Sequence, residues 1–226
     1  MPRLKFLGFI IVTAAFLLLL LSLNQRPVSV YHKNPHTYTN PIQEEYVTQN
    51  YSYVTTIKEI IRQQQLFMEQ ETLDYPFPPN TKLRNFTLAT GGRPLRNIII
   101  TTWRSGSTFL GDVINAVPGN FYHYEPLLDY GIVQIRGPPY ADSAVKNLKR
   151  LLNCDYKELS NYLDYGQSHV YLFTHNTRLW DVCEIYPNYC WNSTFLTEFC
   201  KLFPFQSMKV VRLRLRLAEE LLKDES

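Results

Sequence analysis

Residues 101–112, Thr-Thr-Trp-Arg-Ser-Gly-Ser-Thr-Phe-Leu-Gly-Asp, concentrate groups that hold anions. Ser105, Ser107 and Thr108 bring hydroxyl donors, and Arg104 brings a fixed cation. The segment follows Ile98-Ile99-Ile100 and precedes Leu110, Val113, Ile114 and Val117, spaced as on one helix face. That order predicts a buried strand, a small-residue turn and a helix. Such a turn aims backbone N–H groups at whatever lies above the helix start, where the dipole adds partial positive charge. The chemistry it fits is the grip of a phosphate or a sulfate. A strand–turn–helix with Ser and Thr as plain N-caps would need fewer hydroxylic residues than stand here. The nucleoside-triphosphate pattern GxxxxGK[ST] does not fit, because no Lys precedes Ser107-Thr108 and Gly106 is the lone glycine of the turn.

A transfer reaction also needs a base. Glu125 ends the aromatic run Phe121 to Tyr124 shortly after the loop helix, so a parallel sheet can return it to the loop's edge, where open α/β folds bind ligands. The competing role is a structural carboxylate that caps or pairs with an Arg. His123 is the weaker candidate and is expected to face away from Glu125. His175 follows a strand-like run, Val170 to Thr174, and reads as a surface or core histidine. Phe109 is expected to pack the helix on the sheet. Trp103 either stacks on a bound nucleotide or fills the core, with the core favoured. From Lys209 to Leu217, Arg212, Arg214 and Arg216 alternate with leucines. This predicts a half-exposed strand, or a strand turning into a helix over 218–223.

These elements sit in a larger plan. Phe6 to Leu23 is an uncharged 18-residue run behind Arg3 and Lys5. As a helix it spans about 27 Å, enough to cross a thin bilayer. A retained signal anchor is favoured over a cleaved signal peptide, since Asn24-Gln25-Arg26 makes a poor cleavage site. The short basic tail (1–5) would then be cytosolic and the rest lumenal. Three acceptor sequons, at Asn50, Asn85 and Asn192, agree with that placement. So do four cysteines, Cys154, Cys183, Cys190 and Cys200, an even number with three connectivities. Cys183–Cys190, around Pro187-Asn188, is the first pair expected. The spacing lacks CxxC and any nearby histidine ligand, so no metal site is predicted. Residues 24–93 read as a stem. Within it, Ile57, Ile60, Ile61, Gln64, Phe67 and Met68 mark a helix that packs on the domain or on a neighbouring stem, the latter as a homodimer; the alternative is a solvated spacer helix. Residues 94–226 read as the domain. A net charge of +3 gives no case for nucleic-acid binding.

The segment Trp-Arg-Ser-Gly-Ser-Thr-Phe at 103–109 resembles the 5′-phosphosulfate loop of the Golgi carbohydrate sulfotransferases that modify galactose, N-acetylglucosamine and N-acetylgalactosamine. Phe121-Tyr122-His123-Tyr124-Glu125-Pro126-Leu127 and Lys209-Val210-Val211-Arg212-Leu213-Arg214 resemble further segments of that family, in the same order. The resemblance covers about residues 94–226. It implies a sulfotransferase-type α/β fold with a parallel sheet, behind the transmembrane helix and stem. It implies 3′-phosphoadenylyl sulfate as co-substrate and a glycan acceptor, in a type II Golgi membrane protein. Trp103, Arg104, Ser105, Gly106, Ser107, Thr108 and Phe109 would bind the co-substrate, and Arg104 and Glu125 would act in catalysis. The family's Arg-Asp-Pro-Arg segment, which grips the 3′-phosphate, does not occur in these 226 residues. The domain is therefore expected to be incomplete and its activity impaired. The alternatives are a nucleotide-dependent kinase, disfavoured by the missing loop Lys, and a non-catalytic lumenal glycoprotein that keeps the fold for binding or assembly.

Overall fold

The computed structural model describes residues 56–223. The candidate anchor at 6–23 and the sequon at Asn50 lie outside the described residues. Among those residues no helix is long and apolar enough to cross a membrane. The described residues belong to one compact unit.

The architecture is α/β. Three parallel strands, β1 (Leu95–Ile100), β2 (Asn120–Tyr124) and β3 (Phe205–Val210), lie in the order β1-β3-β2. The last strand in sequence is thus the middle one. It aligns Ile98 with Met208 on one side and Tyr124 with Lys209 on the other. β3 is buried along its whole length, whereas Ile98 to Ile100 are half-buried. The buried strand expected there is an edge strand instead, because among the described residues it pairs with β3 alone. Apolar content marks a strand but does not say which neighbour it has.

Helix α1 (Ile57–Glu71) starts in a capping box, with Thr56 and Glu59 each accepting from the other's backbone N–H. Its buried face, Ile60, Gln64 and Met68, packs on the domain, while Phe67 of the stripe read from the sequence is left 48 % exposed. Glu71 ties the helix end inward by accepting from Arg178 and from the Gly119 N–H. Helix α2 (Ser107–Asn115) follows β1 and lies on β2 and β3.

α2 seats itself on Ser107, Gly111 and Asn115, one residue per turn. A Cβ at Gly111 would stand 2.0 Å from the Tyr122 hydroxyl oxygen, so only glycine lets the helix come this close. With the small residues inward, Phe109 is 76 % exposed, and Leu110 and Val113 are about half exposed. Phe109 therefore does not pack helix on sheet, contrary to the expectation. The pattern of apolar residues pointed to the wrong face because close approach, not hydropathy, set the rotation.

Helices α3 (Ala141–Leu152), α4 (Ser160–Ser168), α5 (Tyr171–Thr174), α6 (Thr177–Ile185) and α7 (Ser193–Cys200) fill the connection between β2 and β3. The run Val170 to Thr174, read as strand-like, is the helical turn α5. Its Leu172 and Phe173 are buried, and Phe173 meets Tyr162 and Trp191, so packing overrides β-propensity. Opposite α2, Phe121 meets Phe199 and Phe203, with Phe195 packed on Phe199. Disulfides join Cys154 to Cys200 and Cys183 to Cys190, the latter as expected. After β3 the chain bends and enters α8 (Leu215–Leu222). The three arginines do not share a face: Arg212 is buried, while Arg214 and Arg216 are exposed. The strand ends at Val210, so the period-two reading stops before them.

Candidate anion-binding site at the sheet edge

β1 delivers the chain to Thr101, whose N–H donates to the Val210 carbonyl at 3.1 Å. Its hydroxyl meets that of Ser105 at 2.6 Å and pins the turn. Arg104 (φ 62°) and Gly106 (φ 77°) are left-handed around Ser105. Alternating backbone hands of this kind turn successive N–H groups toward one point, forming an anion nest. Gly106 is the N-cap of α2 and supplies no side-chain acceptor, so the first-turn amides are not capped by a side chain. Arg104 is exposed and makes no ion pair among the described residues. Amides without a side-chain cap, a helix dipole and a cation meet here.

The loop borders a cleft of about 480 Å³ lined by residues 102–108, Glu125, Lys209 and Val211. The structure thus brings the predicted base and the predicted loop to one cavity. Phe109 does not line it. Trp103 lines it and is 53 % exposed, so the core position favoured from sequence is corrected. Its indole lies 5.0 Å from the Arg212 guanidinium, a cation–π contact.

Period-two alternation alone would turn Glu125 to the same face as His123. Glu125 instead adopts φ 44°, which ends the strand and swings its side chain to the α2 face. His123 stays beneath, 3 % exposed, with Nε2 2.7 Å from the Tyr156 hydroxyl. Burial holds its imidazole down at about 4, with the Ser207 backbone partly opposing. Four non-glycine residues among those described have positive φ, and Arg104 and Glu125 are two of them. Such conformations cost about 1–3 kcal/mol and cluster where function demands them.

Two residues that no sequence argument placed in the site complete it. Lys209, 2 % exposed on the central strand, donates to Glu125 Oε1 at 2.6 Å. Its ammonium also lies 3.4 Å from the Thr108 hydroxyl and 4.3 Å from the Tyr124 ring centroid. Arg212, 5 % exposed, brings Nη2 to 3.9 Å from Glu125 Oε2, while Nε and Nη1 find no partner among the described residues. The signal was present: a Lys and an Arg inside an otherwise apolar run are costly unless paired or used. On the far side of Tyr124, His175 stacks at 3.8 Å and its Nδ1 meets Asp112 Oδ1 at 3.2 Å. His175 does not line the cleft.

The donor set is cationic and rich in N–H and O–H groups. It suits a tetrahedral oxyanion and, among the described residues, has no grouping suited to a metal ion. Two curated proteins share part of this sequence. Carbohydrate sulfotransferase 7 of Rattus norvegicus and that of Mus musculus are each 39 % identical to the chain over 69 residues. The match takes in 29 % of this chain and 14 % of each relative's length. It is a distant, partial resemblance to carbohydrate sulfotransferases. No family model matches the chain. No solved structure matches it either.

Proposed function

We propose that this chain carries the donor-binding part of a carbohydrate sulfotransferase, with 3′-phosphoadenylyl sulfate as co-substrate. The observation that supports it most is the turn at 104–106, where side-chain-uncapped amides, Arg104 and the cleft meet. The partial identity to two carbohydrate sulfotransferases supports the same reading. The donor, when bound, supplies the sulfuryl group. Backbone N–H groups of 105–108 and the hydroxyls of Ser105, Ser107 and Thr108 hold its 5′-phosphosulfate oxygens. Arg104 balances the charge that grows on the departing phosphate. Glu125 takes the proton of the attacking sugar hydroxyl, and Lys209 holds that carboxylate at the cleft. Trp103 covers the cleft. The acceptor is a glycan, with the 6-OH of N-acetylglucosamine or galactose as the reacting group. The setting is the Golgi membrane, single-pass and type II through residues 6–23, with this unit lumenal.

The 226 residues offer contacts to one of the donor's two phosphate groups, because no Arg-Asp-Pro-Arg segment is present. Turnover by this polypeptide is therefore slow. Transfer of labelled sulfate to a panel of N-acetylglucosamine- and galactose-terminated sugars tests the reading, with Arg104→Ala as control. Slow transfer that Arg104→Ala abolishes is expected. No transfer to any sugar, by protein that still binds glycan, would favour the non-catalytic reading.

A further inference from the structure

The entrance end of β1 carries a second cleft, of about 450 Å³. Arg93, Arg96, Lys149 and Lys223 line it, and no carboxylate does. Glu220, on α8, is engaged with Lys223. Lys149 and Lys223 stand at the C-terminal ends of α3 and α8, where cations complement helix dipoles. That explanation does not reach Arg93 or Arg96, which sit before and within β1. Neither forms an ion pair among the described residues; Arg96 donates to the Asn153 side-chain oxygen, and Arg93 is exposed. Leu88, Leu95, Leu152 and Leu221 form the apolar part of the wall.

We infer that this cleft is a docking site for an anionic polysaccharide, distinct from the loop cleft. Guanidinium forks match sulfate and carboxylate oxygens, and the leucines fit the apolar faces of sugar rings. A nucleic acid fits less well, since no aromatic side chain lines the cleft to stack a base. A lipid surface is flat and does not enter a concavity. β1 runs from this cleft to the loop, six residues or roughly 20 Å. A polysaccharide of several sugars therefore reaches from one to the other. The inference rests on the glycan reading above, and its test separates the two.

Full-length protein in detergent micelles is titrated into a fluorescein-labelled chondroitin sulfate oligosaccharide and followed by anisotropy. Saturable binding is expected, weakened about tenfold or more, 1.4 kcal/mol, in Arg93→Ala/Arg96→Ala. The same double variant retains its binding of adenosine 3′,5′-bisphosphate. Arg104→Ala shows the reverse, losing the bisphosphate and keeping the oligosaccharide. Both residues are exposed, and an unchanged melting temperature verifies that the double variant folds. Absence of oligosaccharide binding overturns the inference, as does binding the double variant leaves intact. An oligodeoxynucleotide of equal charge bound as tightly through the same arginines also overturns it. Failure of the bisphosphate arm alone removes the sulfotransferase reading and leaves the docking site standing.

Discussion

At the residue scale, Lys209 depends on Glu125 for its counter-charge. Lys209 is buried, at 3 % side-chain exposure, and Glu125 is partly buried at 13 %, so removing the carboxylate strands the ammonium. Glu125→Ala is expected to cost about 3–5 kcal/mol in urea unfolding, and Glu125→Ala/Lys209→Met to recover most of it. A loss under about 1 kcal/mol for the single variant would mean that water already serves the ammonium. His123 makes a pH-dependent contribution with a definite sign. The unfolded chain takes up its proton near 6.5, the folded chain not until about 4. Between those values the unfolded state binds more protons, so stability rises with pH and is complete above 6.5. The total is on the order of 3 kcal/mol, and by pH 5 about 2 kcal/mol is lost. Asp129 acts in the opposite sense, because burial raises its carboxyl to about 6 and the folded state keeps the proton there. Because Asp129 offsets much of the loss in the parent, urea titrations at pH 5 and 7 should show His123→Gln gaining about 2 kcal/mol relative to the parent on acidification, its remaining slope following Asp129. The same change between pH 7 and 5 in parent and variant would contradict the assignment.

At the element scale, α2 is the part most tightly specified by one residue. Gly111→Ala should destabilise the protein by about 2 kcal/mol or more in denaturant, although alanine gains about 1 kcal/mol in helix propensity. A stabilised Gly111→Ala would mean that the helix does not lie against Tyr122. What was legible in the sequence follows the range of the forces involved. The strand–turn–helix at 95–115 is local, and Arg104, Gly106 and Ser107 announced it by type and order. Cys183–Cys190 closes a separation of seven residues and was legible for the same reason. The rotation of α2, the edge position of β1 and the turn at 171–174 depend on partners far along the chain. So does the assembly of the cleft, where Thr108, Glu125 and Lys209 meet across separations of 84 and 101 residues. Glu125 reached the loop through a left-handed residue, which alternation along a strand does not foresee.

At the scale of the whole molecule, two clefts lie at opposite ends of one short parallel strand. One is built from left-handed backbone and hydroxyl donors, and the other is cationic and lined by no carboxylate. Between them, α2 presents Phe109, Leu110 and Val113 outward. The disulfide Cys154–Cys200 joins the end of α3 to the end of α7 and so braces the long connection that carries β3, and with it Lys209, into the middle of the sheet. The central claim is that this scaffold holds the loop at 101–109 as an oxyanion site. Isothermal titration of the full chain with adenosine 3′,5′-bisphosphate tests it most directly. The account predicts a saturable Kd on the order of 1 mM, about 4 kcal/mol, that Arg104→Ala weakens about tenfold. Binding that Arg104→Ala leaves unchanged would contradict it.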